Sequence, residues 1–288
     1  MKILIVYRDE PLYRALDLQL RQRGYAVRGI ALVELADFLR EPADAEGEEG
    51  SIVIDCASRE PGGPVALDDA SFEALAAHCT QRGWPLLLLS DSRVFPVGGK
   101  QRYREIDPVQ PGSVAGELLA ARERLLAASL PWHLILRSGP SISATGDNLM
   151  ADTLARLRGG GAVAVSNGAR FCPTPVADLA RVVAAICDQL TCNAQCWGVY
   201  HYHSSDPTTT YEFAEVLLAA AAQYWPLDTG RVELQIAVDD PVASLYPLLN
   251  CQRVRDTFGI QQLPWRKAIP QLLKTLHADE PRGAGETS

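Results

Sequence analysis

"MKILIVYRDEPLYRALDLQL", residues 1–20, opens the chain. Its first part, "KILIVY", is a short apolar run of the kind that fills a strand buried on both faces, and the residues beyond the turn have the pattern of an amphipathic helix. Strand, tight turn and helix in that order are how a dinucleotide-binding fold begins. Such a turn is normally built on glycines, so that the backbone comes within hydrogen-bond reach of pyrophosphate and the helix N-terminus faces it. Here the turn reads Tyr7, Arg8, Asp9, Glu10, Pro11, Leu12, Tyr13, with no glycine. Asp9 is suited to cap the helix and Pro11 to sit in its first turn, which uses up the N–H groups that a phosphate needs.

Outward from this unit the chain alternates. "AVRGIAL" (26–32), "SIVIDCA" (51–57), "PLLLLS" (85–90) and "WHLILRS" (132–138) are strand-like runs separated by helix-like stretches such as "SFEALAAHCTQRG" (71–83). The rhythm predicts an α/β fold, a doubly wound parallel sheet with helices on both faces. "REPADAEGEEGS" (40–51) is acidic and short of apolar residues, and reads as an exposed loop. After residue 138 the rhythm changes. "NLMADTLARLRGGG" (148–161) is a helix ended by glycines, and "TTTYEFAEVLLAAAAQYW" (208–225) is a helix whose Thr209 and Glu212 have capping-box spacing. The division expected is a sheet domain over 1–138 with further elements from about 160–200, a mixed region with a smaller lobe over 139–277, and a disordered tail over 278–288.

Composition excludes several function classes. The 288 residues are 47% hydrophobic and 22% charged, enough for a large core, and the net charge of −8 comes without any basic run. Nucleic acid and anionic membrane are therefore poor partners. The N-terminal strand passes directly into an Arg-rich helix rather than a signal peptide, and no apolar run is long enough to span a bilayer, so a cytoplasmic address is expected. The seven cysteines, at 56, 79, 172, 187, 192, 196 and 251, lack paired C-x-x-C units. Neither a disulfide framework nor a metal site is expected, and Cys187, Cys192 and Cys196 are explained by a helix end and loop.

The middle of the chain carries a specific likeness. "LSDSRVFPVGGKQRYREIDPVQPGSVAGELLAARE" (89–123) resembles the active-site segment of the dTDP-4-dehydrorhamnose reductases, extended short-chain dehydrogenases/reductases. In that family S-T-D-Y-V-F-x-G is followed by Y-x-E-x-D-x-x-x-P-x-x-x-Y-G-x-x-K-x-x-x-E. Tyr103, Glu105, Asp107, Pro111, Gly116 and Glu123 fall on the pattern without a gap. "FCPTPVADLARVV" (171–183), "GVYHYHSSDPTTTYEFAEVLL" (198–218) and "FGIQQLPWRKAIPQLL" (258–273) are similar to later family motifs. The resemblance implies a Rossmann-type domain with a small substrate-binding lobe.

The departures bear on function. The family's Tyr and Lys, which protonate the developing alkoxide and hold the cofactor ribose, align with Ala115 and Leu119. The Thr that orients the substrate carbonyl aligns with Asp91, and of the catalytic set Ser90 alone survives. The family's three glycines align with Tyr7, Glu10 and Tyr13, and the ribose-reading position at the end of the second strand is Ala31. Arg8 and Arg28, the cations nearest that turn, read as surface charges. Catalytic residues are accordingly expected to be absent, and no cofactor is expected. The resemblance places Arg137, Asn148, Pro173, Thr174 and His201 at the substrate pocket, with His201 as a residue of the lobe. Its R-P-x-x-S is replaced by Ala243, Ser244 and Pro247. His201 and His203 alternate along a strand, and a structural role is favoured over a metal pair.

Three function classes follow. The first, favoured by the number of lost positions, is a non-catalytic relative of the reductases that binds a ligand or acts as a regulatory subunit. The second is an active NAD(P)-dependent reductase of a nucleotide-linked keto sugar with an atypical site. The third is a ligand-free scaffold for protein partners. A nucleotide sugar or other small ligand, a protein partner and a second copy of the chain are the partners considered.

Overall fold

The structure, a computed structural model, describes residues 1–8, 10–41, 50–59, 67–96, 98, 100–225, 232–237 and 246–279. In chain order its elements are β1 (Lys2–Tyr7), α1 (Glu10–Gln22), β2 (Ala26–Ala31), α2 (Leu35–Phe38), β3 (Ile52–Asp55), α3 (Asp69–Arg82), β4 (Leu86–Asp91), α4 (Val114–Ser129), β5 (His133–Ser138) and β6 (Ser141–Ile142). There follow α5 (Leu149–Gly159), β7 (Gly161–Val165), β8 (Thr174–Pro175), α6 (Val176–Thr191), β9 (Gly198–Tyr202), α7 (Thr210–Ala221), β10 (Val232–Ile236), α8 (Gln252–Phe258) and α9 (Ile269–Asp279).

Six strands form one parallel sheet in the order β2-β1-β3-β4-β5-β9. Every residue of β3 and β4 is buried, as a sheet covered on both faces requires. Leu4, Val6, Val53, Leu86 and Leu88 pack on one face with Phe72 and Leu75 of α3 and Leu126 of α4. Ile3, Ile5, Leu87, Leu89 and Leu136 pack on the other with Leu12 and Leu16 of α1 and Leu179 and Val183 of α6. All five strand-like runs read from the sequence are strands of this sheet. The sixth strand is a correction: β9, carrying His201, joins the sheet beside β5 instead of belonging to the lobe. Its register with β5 buries His201 at the level of Arg137.

Of the elements after residue 138, α6 and β9 complete the sheet domain, whereas β7 pairs with β10 in a separate two-stranded sheet. The smaller lobe has its own core of Met150, Leu154, Phe171, Phe213, Leu217, Trp265 and Leu273. Two of its helices, α5 and α7, are capped by side chains at their starts. Asn148 accepts from the Met150 and Ala151 amides at the start of α5, and Thr209 and Glu212 form the capping box of α7.

Helix α9 continues to Asp279, so Ala278 and Asp279 are helical where a tail was expected. Residues 280–288, and residues 42–49 of the acidic loop, lie outside the described residues. Six cysteines are buried and Cys192 is exposed. Among the described residues no group of His, Cys, Asp or Glu could hold a metal ion, and no helix is long and apolar enough to cross a membrane.

Candidate active-site cleft

The C-terminal ends of β1, β3 and β4 are where a parallel sheet presents its ligand crevice. At β1 the Tyr7 and Tyr13 rings stack 3.9 Å apart and 9° from parallel. Tyr13 also lies against β2 at Gly29, where an added Cβ would come within 2.5 Å of the phenol oxygen. The absence of a side chain at Gly29 is what admits the ring, and burial pushes the Tyr13 phenol above its usual pKa. The stacked rings stand by the strand end where a glycine-rich turn would receive pyrophosphate. The residues present therefore do not fit a dinucleotide gripped at this turn by backbone amides. Asp9, expected to cap the helix, and the side chain of Glu10, aligned with a family glycine, lie outside the described residues.

The next strand ends are closed by carboxylates. Asp55 of β3 accepts from the Ala57 and Ser58 amides at 2.9 and 3.1 Å and from the Ser58 hydroxyl at 2.5 Å. Burial raises its pKa, against the lowering effect of those bonds. Arg122 of α4, itself buried, donates to the Ser58 and Leu67 carbonyls. On β4, Asp91 accepts from the Arg93 amide at 2.8 Å and from the Arg93 guanidinium at 2.5–3.0 Å. Ser90 is fully buried and donates to Glu123 at 2.6 Å. Leu119 is also fully buried, so α4 directs no polar group from that position.

The five pocket residues that the resemblance suggests are absorbed by the structure. Arg137, 3% exposed, forms a two-armed pair with Glu123 and places its Nη1 3.3 Å from His201 Nε2. His201 is completely buried, with its ring edge toward Phe95. Burial, and then the Arg137 charge, hold its pKa well below the usual imidazole value. Thr174 is buried with its hydroxyl directed to the Cys172 carbonyl, and Pro173 is buried beside it. Asn148 is committed to its helix cap and to the Ser143, Thr145 and Gly146 carbonyls. Arg137 and His201 are thus brought together, but under the sheet edge and without an accessible face.

One open cleft lies elsewhere, between the sheet domain and the lobe. It measures about 460 Å³ and is lined by Lys100, Gln101 and Arg102, by Tyr246 on the segment paired with that loop, and by Arg170 and Pro207. Backbone pairing fixes both walls. The Tyr103 amide donates to the Leu248 carbonyl at 2.8 Å and the Asn250 amide to the Tyr103 carbonyl at 2.7 Å, while Phe171 and Thr208 exchange two bonds of 2.9 Å. Lys100 lies 2.6 Å from Asp107, and Arg170 lies 3.2 Å from Glu212. Arg102 is exposed and has no ion pair among the described residues. Tyr246 carries the Arg93 guanidinium 5.3 Å from its ring centre. The cleft is of ligand size and cationic, which suits an anion with an organic body.

Sequence reasoning missed Lys100, Arg102, Arg170 and Tyr246. The basic residues in "GGKQRYRE" were the only local signal, since Arg170 and Tyr246 reach the cleft through pairings distant in sequence.

Comparison with known proteins agrees with this architecture. The family model described as the RmlD substrate binding domain matches residues 52–278. A dTDP-4-dehydrorhamnose reductase of Streptomyces griseus is 29% identical over 278 residues, covering 91% of this chain and 90% of that protein. One from Sinorhizobium fredii is 27% identical over 234 residues, covering 77% of each. A solved dTDP-4-dehydrorhamnose reductase of Clostridium acetobutylicum superposes with a TM-score of 0.78 at 20% identity, over 96% of this chain and 99% of that one. Another, from Bacillus anthracis and in complex with NADP, gives 0.75 at 17% identity, over 96% of this chain and all of that one. These relatives overturn the expectation of a non-catalytic binding or regulatory protein, because those named at this coverage are reductases and favour the catalytic reading. With a family match over most of its length and a two-lobed Rossmann-like fold, the chain belongs to the dTDP-4-dehydrorhamnose reductase-like family.

Proposed function

We propose that this protein is an oxidoreductase that reduces a nucleotide-linked keto sugar with a reduced nicotinamide dinucleotide, through an atypical site. The observation that carries the reading is the cationic cleft between the two lobes, where Lys100, Arg102 and Arg170 meet Tyr246. Guanidinium and ammonium groups at a cleft mouth suit the diphosphate of such a substrate, and the volume suits its sugar and base. The reductase names of the relatives and the NADP complex of a structural neighbour support the reaction class and the cofactor class.

In such a reaction the dinucleotide supplies the hydride. Given Tyr7 and Tyr13, it would be held by contacts other than a glycine-rich turn. Given Ala115 and Leu119, the proton donor is a group outside the family's helical pair. A cytoplasmic address fits the seven free thiols.

The test is NADPH oxidation by the purified protein with dTDP-4-dehydro sugars, together with nicotinamide fluorescence for binding. Steady, substrate-dependent oxidation is expected, with KM raised by Arg102→Ala and Arg170→Ala. Absence of both oxidation and NADPH binding would overturn the reading.

A further inference from the structure

We infer that Tyr246, with its ring against the Arg93 guanidinium, is the hydrogen-bond donor to the keto oxygen of the ligand in this cleft, and that Asp91 is the positioning residue for Arg93. The inference rests on the proposed substrate class and assigns a role that the family pattern does not supply.

Three observations converge on it. First, the helix that should bring a phenol to the cleft brings Ala115 and a fully buried Leu119, so any polar donor must come from another element. Second, Gly116 packs directly beneath the Arg93 carbonyl, leaving no room for a Cβ. The turn carrying Arg93 therefore sits on the first turn of α4, beside Ala115. Third, Tyr246 lines the cleft and lies 5.3 Å from the Arg93 guanidinium, measured to its ring centre. It thus places a phenol and a cation together in the neighbourhood where the helical pair is missing.

The guanidinium is not free to wander. Asp91, 1% exposed, holds it through Nε and Nη2 and also caps its backbone amide. A fixed cation next to a phenol favours its ionised form and strengthens the hydroxyl as a donor. The charged groups around Tyr246 are Arg93 from the turn after β4, Lys100 and Arg102 from the loop paired with its own segment, and Arg170 from the lobe. Their described carboxylate partners are Asp91, Asp107 and Glu212, which pair with Arg93, Lys100 and Arg170. The carboxylate at position 91, which would repel an oxyanion if it stood alone, is thereby engaged in holding a cation.

Two measurements test this. Ultraviolet titration of the ligand-free protein should show one tyrosine ionising below the usual value of about 10. That titration should vanish in Tyr246→Phe, move up in Arg93→Gln and persist in Arg93→Lys. Calorimetry should show Tyr246→Phe weakening a dTDP-4-dehydro sugar about tenfold, one hydrogen bond's worth, while thymidine diphosphate binds as before. Equal losses for both ligands, no loss for either, or a titration unchanged in Tyr246→Phe would overturn the inference. Sugar-nucleotide binding that behaves as described with neither NADPH oxidation nor NADPH binding would sink the reductase reading and leave this one standing.

Discussion

Glu123 of α4 and Arg137 of β5 form an ion pair with Arg137 Nη2 2.6 Å from Glu123 Oε2, and the two side chains are only 5% and 4% exposed. The pair ties a covering helix to the sheet, and Ser90 donates into the same carboxylate. Glu123→Ala would strand a guanidinium under the sheet edge. Breaking such a pair costs about 3–5 kcal/mol, whereas replacing both partners by apolar residues is often close to neutral. Urea denaturation should show that loss for Glu123→Ala and a large recovery in Glu123→Leu with Arg137→Met.

Gly29 and Tyr13 make a second coupled pair. Gly29→Ala should destabilise by about 1–3 kcal/mol, since the new methyl group meets the Tyr13 ring. Adding Tyr13→Ala should remove most of that penalty, and a double-mutant cycle measures the coupling. Additive losses would show that the ring does not depend on the bare backbone of β2.

The buried histidines predict a pH dependence. Burial lowers the pKa of His201 well below 6.5 and also lowers that of His203, so both are neutral in the folded chain while an unfolded chain protonates them near 6.5. Unfolding then takes up protons, and the stability these groups contribute is complete above about pH 6.5 and falls as the pH drops below it. The urea midpoint should decline between about pH 7 and pH 5.5, with a shallower slope in His201→Gln. A midpoint that stays flat over that range would contradict the burial argument.

Thiol reactivity should divide the cysteines sharply. Burial pushes Cys79, Cys187 and Cys251 up to about 12, while Cys192 is exposed on the turn after α6. Because the thiolate is the reacting form, iodoacetamide on the native protein should label Cys192 first and spare those three. Mass spectrometry of the labelled peptides reads the order directly.

The sheet was legible because its strands are buried on both faces and therefore read as unbroken apolar runs, from "KILIVY" to "WHLILRS". His201 of "GVYHY" was assigned to the lobe because the family likeness, rather than the strand pattern, decided its place. Tyr7 and Tyr13 were read as side chains in place of the glycines, but the part played by Gly29 depends on its contact with the Tyr13 ring, which no local pattern records. Arg137 and His201 were read as ligand residues because the family likeness placed them at the pocket. Only the register of β4, β5 and β9 shows that they satisfy each other. Conversely, Arg102, Arg170 and Tyr246 looked ordinary, since the pairings that gather them join segments far apart in the chain.

The pairing of Tyr103 with Leu248 and Asn250 has a consequence for how the protein is made. Bringing these segments together closes a loop of about half the chain, an entropically costly contact that is rewarded only after the sheet and the lobe exist. The cleft should accordingly be among the last features to mature during synthesis and among the first to be lost when the C-terminal segment is cut away. A chain stopped before residue 246 could retain the helix-covered strands and still lack Tyr246 and the segment that pairs with Tyr103.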